Sequence, residues 1–222
     1  MLYITSTFDP NVFFRVITGA KLEIIDNTIV ISIQQGRLLP NGVIENKTEW
    51  LSPNVTTRER ISLDELSPID LTRVKIPHTD VMTGLKLTKV RVGTDSAKPQ
   101  YRIRLTALAH PYNFKEGFVG GLAIEYTADV GRSRVHQDDV ISLFGRSPDS
   151  VIRDEYVDFI VSDGDDGGRR TLPLIDSREV VSDVLTPLSG AGLYLSRQHT
   201  GALVRLELLT YNLKPHFFYN TD

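Results

Sequence analysis

One short unit recurs along this sequence and constrains the fold more than any other feature. Residues 16–22 read VITGAKL, residues 81–87 read VMTGLKL, and a weaker third copy, LSGAGLYL, begins at residue 188. Each copy leads into an extended segment, a turn and a second extended segment, which is the pattern of a β-hairpin. Self-similarity of this kind predicts a domain assembled from repeated β units.

The alternation of apolar and polar residues supports strands in these segments. Residues 29–33 and residues 101–105 both alternate with a period of two, which predicts half-buried antiparallel strands. In residues 85–92 the apolar phase shifts, and a β-bulge would explain that shift. We therefore expect an all-β domain of about a dozen strands, either an antiparallel sandwich or a prism of repeated hairpins. One short helix is predicted at residues 133–144.

Composition limits the class of protein and its partners. A chain of 222 residues is expected to form one all-β domain, residues 1–222. Its 25 Lys and Arg against 28 Asp and Glu give a net charge of −3, which supplies no field to attract nucleic acid or anionic lipid. The absence of cysteine excludes disulfides, thiolate catalysis and cysteine-ligated metals. No apolar run approaches the roughly 20 residues of a membrane span, so no membrane insertion is expected.

Two sequence motifs bear on the compartment. Asn46-Lys47-Thr48 and Asn54-Val55-Thr56 match the N-glycosylation pattern, which favours an extracellular location with Asn46 and Asn54 as acceptors. The first ten residues lack the charged and then apolar layout of a signal peptide, so a cytoplasmic location is the alternative.

Familiar catalytic motifs are absent from the sequence, and this favours a protein that is not an enzyme. There is no nucleophile elbow, no zinc-protease motif and no phosphate-binding loop. The most chemically distinctive stretch is an acidic loop, in which Asp163, Asp165 and Asp166 are candidate Ca²⁺ ligands among glycines. The alternative is a solvated turn that connects two strands.

The C-terminal aromatic residues form a second candidate site. Phe217, Phe218 and Tyr219 follow the last predicted strand, and an apolar tail in this position must dock on its own domain or on a neighbour. These three residues are therefore candidates for assembly into oligomers.

The repeated hairpins, each led by a glycine, resemble the β-prism of jacalin-like lectins. The resemblance implies a prism of hairpins. The sugar-binding loop of that family is not matched in this sequence, so no binding residue is transferred from it.

These features favour a non-enzymatic extracellular protein that binds glycans or other proteins by surface contact, or binds a second copy of itself. A first alternative is a structural or storage protein that self-assembles through its aromatic tail. A second alternative is a hydrolase acting on glycans, in which Asp158, Asp163 and Asp165 would line one cleft as paired carboxylates.

Overall fold

The computed structural model describes residues 15–25, 28–51, 67–93, 100–135, 151–158, 174–198 and 201–214. About 66% of this part of the chain is β-strand and about 3% is helix, and the all-β prediction is confirmed. The strands are β1 (Arg15–Ile25), β2 (Thr28–Leu38), β3 (Ile44–Leu51), β4 (Ile69–Asp70), β5 (Arg73–Lys75), β6 (Asp80–Val92), β7 (Gln100–Asn113), β8 (Phe118–Val119), β9 (Ile124–Thr127), β10 (Val151–Ile152), β11 (Tyr156–Val157), β12 (Leu174–Ile175), β13 (Val180–Val181), β14 (Leu188–Gln198) and β15 (Gly201–Thr210).

The strands form three sheets, and each sheet is built on one long antiparallel hairpin. The first sheet has the order β13-β1-β2-β3 around the hairpin β1–β2. The second has the order β11-β4-β7-β6, with β8 and β9 also paired to β7. The third has the order β10-β14-β15-β12, with β5 also paired to β14. All three hairpins predicted from the recurring unit are therefore present.

The recurring unit adopts one local structure in all three hairpins. The pairing register shifts at the residue before the unit's glycine, which is Thr18 in β1, Thr83 in β6 and Ser189 in β14. A β-bulge inserts one extra residue at such a point and bends the strand. Beyond the bulge the hairpins share a register that places equivalent apolar pairs in the interior. These pairs are Leu22 with Ile31, Leu87 with Leu105, and Leu193 with Leu206.

The bulge predicted within residues 85–92 is wrong. Strand β6 pairs with β7 without a shift from Gly84 to Val92, and the bulge lies earlier, at Thr83. The apparent change of phase arises because Val90 and Val92 lie half-buried on the face opposite Leu87, in a regular strand. Apolar residues on a partly exposed face mimic a change of phase in the sequence.

One large core is shared by the three sheets. It contains buried side chains from both strands of each long hairpin, among them Ile33, Leu105 and Leu195. The three strands that carry the recurring unit, β1, β6 and β14, contact one another. A smaller core lies beside it and joins the starts of β1 and β6 to aromatic residues. Its members are Val16, Leu38, Ile44, Val81, Tyr112, Phe114, Val119 and Tyr211.

Two short strands pair with the outer edges of the long hairpins at the unit's glycines. In the first sheet β13 places Val181 opposite Gly19, and in the third β5 places Lys75 opposite Gly190. The approach at Gly190 is close, because a Cβ atom there would lie 2.2 Å from the carbonyl oxygen of Val74. A glycine in a strand often marks such a close approach of a second backbone.

A buried ion-pair network fixes the second sheet. The side chain of Asp70 on β4 is fully buried, and its carboxylate lies 3.2 Å from Arg102 Nη1 and accepts a hydrogen bond of 2.9 Å from Arg104 Nε. The amide of Gly131 donates a further hydrogen bond of 3.1 Å to the same carboxylate. The guanidinium of Arg102 lies 3.6 Å from the ring centroid of Tyr156. The network therefore joins β4 and β7 to β11 and the segment at residue 131.

The helix predicted at residues 133–144 lies outside the described residues from position 136 onward. Its three described residues are not helical: Ser133 lies in a bend, Arg134 forms a β-bridge with Tyr156, and the Val135 amide donates to the Tyr156 carbonyl. A 3-10 turn, Pro40–Gly42, connects β2 to β3.

Across the described ranges, none of the helical segments has the length and apolar character needed to cross a bilayer.

Candidate ligand-binding groove

The acidic residues proposed for calcium or hydrolysis are not brought into one site by the described structure. Asp163, Asp165 and Asp166 lie outside the described residues, so the calcium site stays a prediction. Asp158 is described, and its carboxylate forms an ion pair with Arg134. Within the described ranges, no group of three or more His, Asp or Glu side chains is placed to hold a metal ion.

The candidate glycosylation and assembly residues are placed only in part. Asn46 lies exposed on β3, where a modifying enzyme can reach it, whereas Asn54 lies outside the described residues. Phe217, Phe218 and Tyr219 also lie outside them, and their role in assembly stays a prediction.

The described residues do form a groove beside the third sheet, which we call the edge groove. Strand β12 runs parallel to β15 as far as Ile175, and the amide of Asp176 still donates to the carbonyl of Val204 at 3.0 Å. The chain then leaves β15 and reaches β1 as β13, and the space between is a groove of about 410 Å³. It is lined by Asp176, Arg178, Glu179, Val180, Tyr194, Arg205, Leu206, Glu207 and Leu208.

Strand alternation places the polar side chains of the third hairpin on its outer face. Tyr194 on β14 lies directly opposite Arg205 on β15, and the next pair on that face is Gly192 with Glu207. The residues between them, such as Leu206, point into the main core. The alternation of charged and apolar residues in β15 was the available sequence signal for this face, but sequence reasoning did not identify it.

Asp176 is held at the start of the groove by two arginines. Its carboxylate accepts hydrogen bonds of 2.9 and 2.7 Å from Nε and Nη2 of Arg178. Nε of Arg205 lies 2.8 Å from Asp176 Oδ2, at an angle that makes an ion pair and not a hydrogen bond. The hydrogen bonds from Arg178 outweigh burial and lower the pKa of Asp176 below its ordinary value.

Glu207 is held in the same way by two further arginines. Nη2 of Arg73 and Nη2 of Arg153 donate hydrogen bonds of 3.1 and 3.0 Å to Glu207 Oε2. Burial raises the pKa of Glu207, but the hydrogen bonds and the charges of the two arginines together exceed that effect and leave the pKa below its ordinary value. The Arg153 guanidinium also lies 4.8 Å from the ring centroid of Tyr194. Arg153 therefore contacts both the Tyr194 ring and the Glu207 carboxylate.

A difference between the hairpins explains why this cluster forms on the third sheet. Lys21 and Lys86 occupy equivalent positions in the first two units and form ion pairs with Glu23 and Glu125, whereas the third unit has Gly192. A Cβ atom at Gly192 would lie 2.7 Å both from Arg73 Cγ and from Glu207 Oε1. The glycine therefore leaves the space that the Arg73–Glu207 pair fills.

The lowered pKa values make the groove sensitive to acid. A group whose pKa is lower in the folded than in the unfolded chain contributes stability above the unfolded pKa and loses it as the pH falls. We expect Glu207→Gln to destabilise the protein at pH 7 and the difference from the wild type to shrink between about pH 5 and pH 3. Urea unfolding across this range measures the effect.

Glu116→Gln is the control, because it removes an exposed carboxylate from a turn remote from the arginine pairs. A difference between Glu207→Gln and wild type that stays constant from pH 7 to pH 3 would contradict the assignment of the lowered pKa.

Comparisons with known proteins assign no function to the edge groove. No protein-family model matches the chain, and no curated protein matches its sequence.

Proposed function

We propose that this protein is a non-enzymatic recognition protein that binds a glycan in the edge groove. The observation that carries the proposal is a pair of carboxylates, each fixed by two arginines, beside a tyrosine ring in one concavity. The groove volume of about 410 Å³ lies within the range of roughly 300 to 1,000 Å³ that small-ligand sites occupy.

The chemistry of the groove fits a polyhydroxylated ligand. Sugar hydroxyls both donate and accept hydrogen bonds, and the groove offers carboxylate acceptors at Asp176 and Glu207 beside guanidinium donors such as Arg205. The ring of Tyr194 supplies a rigid amphipathic face on which the apolar side of a sugar ring can stack. Because ion pairs already hold these side chains, little conformational entropy remains to be lost on binding.

The charge state of the two carboxylates favours binding over catalysis at this groove. Glycoside hydrolysis needs one carboxylic acid whose pKa is raised, so that it can protonate the leaving oxygen. The pKa values of Asp176 and Glu207 are both lowered, and both groups are ionised at neutral pH. They are therefore suited to accept hydrogen bonds from a ligand.

The wider proposals rest on other features. We also propose an extracellular location, in which Asn46, exposed on β3, carries a glycan. The shared bulge and register of the three hairpins support an internal repeat in the sequence. The likeness to jacalin-like lectins concerns the form of the hairpins alone, and the proposed groove is built from residues of this chain.

Removal of the tyrosine ring tests the proposal. We expect the wild type to bind a subset of an array of neutral and acidic glycans, and Tyr194→Ala to weaken that binding about tenfold, which corresponds to about 1.4 kcal/mol of lost stacking. Tyr194→Phe keeps the ring and is expected to retain most of the affinity. Calorimetric titration with a glycan selected from the array gives the dissociation constants.

Tyr101→Ala is the matched control, since Tyr101 is an exposed tyrosine on β7 of the second sheet, outside the groove. Circular dichroism melting checks that each variant is folded. An array without binding, or equal affinities for wild type and Tyr194→Ala, would refute glycan binding in the groove.

A further inference from the structure

We infer that the glycan is an oligosaccharide that extends from the edge groove onto the outer face of the first sheet, where Trp50 forms a second binding position. This inference rests on the proposed function of the groove and adds the size class of the ligand. It is carried by a continuous series of contacts between the groove and the indole ring.

The contacts begin at a residue that belongs to the groove wall. The carboxylate of Glu179, which lines the groove, lies 3.7 Å from Nζ of Lys21. The same ammonium group lies 2.6 Å from Glu23 Oε1 and 5.0 Å from the centroid of the Trp50 ring. One lysine therefore joins the groove wall to the indole through contacts on a single surface.

The sheet order sets the length of this surface. The groove wall continues into β13, which is the first strand in the order β13-β1-β2-β3, and Trp50 lies on β3 at the other edge. Three strand spacings of about 4.8 Å separate the two edges, or about 14 Å in all. Because Lys21 contacts both Glu179 and the indole, the side chains at the two ends lie closer together than the strand edges. A ligand that fills the groove and also covers Trp50 therefore needs at least two linked sugar rings.

The surface between the ends is polar and its side chains are oriented. Gln34, which pairs with Trp50 across β2 and β3, accepts a hydrogen bond of 2.8 Å from Thr18 Oγ1. Ser32, opposite Lys21, donates a hydrogen bond of 2.6 Å to Glu23. The Thr18 and Ser32 hydroxyls are buried and only orient Gln34 and Glu23. A flat indole beside this fixed amide and carboxylate offers the same combination of stacking and hydrogen bonding as the groove.

The test uses the length of the ligand as its variable. Mono- to hexasaccharides of neutral β-linked glucan, mannan and xylan, together with any glycan selected on the array, are titrated calorimetrically into the protein. We expect the longer members of a bound series to bind about tenfold more tightly than its short members. Trp50→Ala should reduce the affinity of long ligands to that of short ones and leave the short ligands unchanged, whereas Tyr194→Ala weakens both.

Tryptophan fluorescence reports directly on ligand binding at Trp50, because Trp50 is the only tryptophan in the chain. Long ligands should change its fluorescence emission, and short ligands should bind without changing it. Trp50→Phe keeps a flat ring and should recover part of the lost affinity, and melting by circular dichroism confirms that the variants are folded.

The outcomes separate the two proposals. Equal affinities for all lengths, with Trp50→Ala unaffected and Tyr194→Ala weakened, would overturn the extension and leave the groove as a glycan site. No binding of any ligand by the wild type would count against both.

Discussion

Replacing Asp70 with alanine is expected to destabilise the protein by about 3 to 5 kcal/mol, because it leaves buried charge without a counter-ion. The Asp70 side chain is fully buried, and the side chains of Arg102 and Arg104 that face it are only 14% and 12% exposed. Neither guanidinium can recover full hydration once the carboxylate is removed. Urea unfolding at pH 7 measures the loss as a change in the free energy of unfolding.

An exposed ion pair provides the control for this prediction. Glu49 on β3 forms an ion pair with Arg15, and the two side chains are 48% and 35% exposed. Glu49→Ala should cost less than about 1 kcal/mol, since water screens such pairs. Equal losses in Asp70→Ala and Glu49→Ala would show that the buried network contributes no more than a surface contact.

The second large effect is expected from Gly190→Ala. The added methyl group would lie 2.2 Å from the carbonyl oxygen of Val74, and this oxygen belongs to the backbone of β5. Strand β5 must move away from β14 to make room, which strains the pairing of Gly190 with Lys75. We expect a loss of about 3 kcal/mol, seen as a fall in Tm of about 10 °C for a chain of this size.

Gly84→Ala is the matched variant, because Gly84 occupies the same position of the recurring unit in β6. Its nearest neighbour is Leu108 Cδ1 at 2.8 Å, which can rotate away, whereas Leu108 Cβ at 3.0 Å stays in tight contact and must shift by a few tenths of an ångström. A loss of about 1 kcal/mol is expected there, at the low end of the overpacking range. If both variants lowered the Tm equally, the close approach of β5 would not be the cause.

The long hairpins could be predicted from sequence because their signals are local. Apolar alternation in residues 29–33 and the recurring unit at residues 16–22 and 81–87 specify strand, turn and strand without reference to the rest of the chain. The position of the bulge was harder to assign, since the half-buried Val90 and Val92 resemble core residues in the sequence.

The pairing of the short strands could not be predicted, since it depends on where the long hairpins lie. Strand β4 has two residues, and its pairing with β7 places Asp70 within reach of Arg104. A carboxylate and an arginine so distant in sequence give no local signal. Strand propensity is likewise decided by the neighbours that a strand meets in the folded protein.

The edge groove combines residues from four separate segments, which is why sequence reasoning missed it. Arg73, Arg153, Asp176 and Glu207 become neighbours only after β5 and β12 have docked on the third hairpin. Besides the alternation in β15, the sequence showed one further trace, which is Gly192 in place of the lysine of the other two units. The glycine at position 192 can be interpreted only once the structure shows that this position lies on the outer face of the sheet.

The two short strands at the bulge glycines have a consequence for synthesis of the chain on the ribosome. Each long hairpin joins residues that are near in sequence and can close early, because short loops cost little entropy. The first sheet, however, receives its outer strand from Val180 and Val181, near the C-terminal end. Among the described strands, β13 is the one that completes this edge at Gly19, and it can do so only after residues 180 and 181 have left the ribosome.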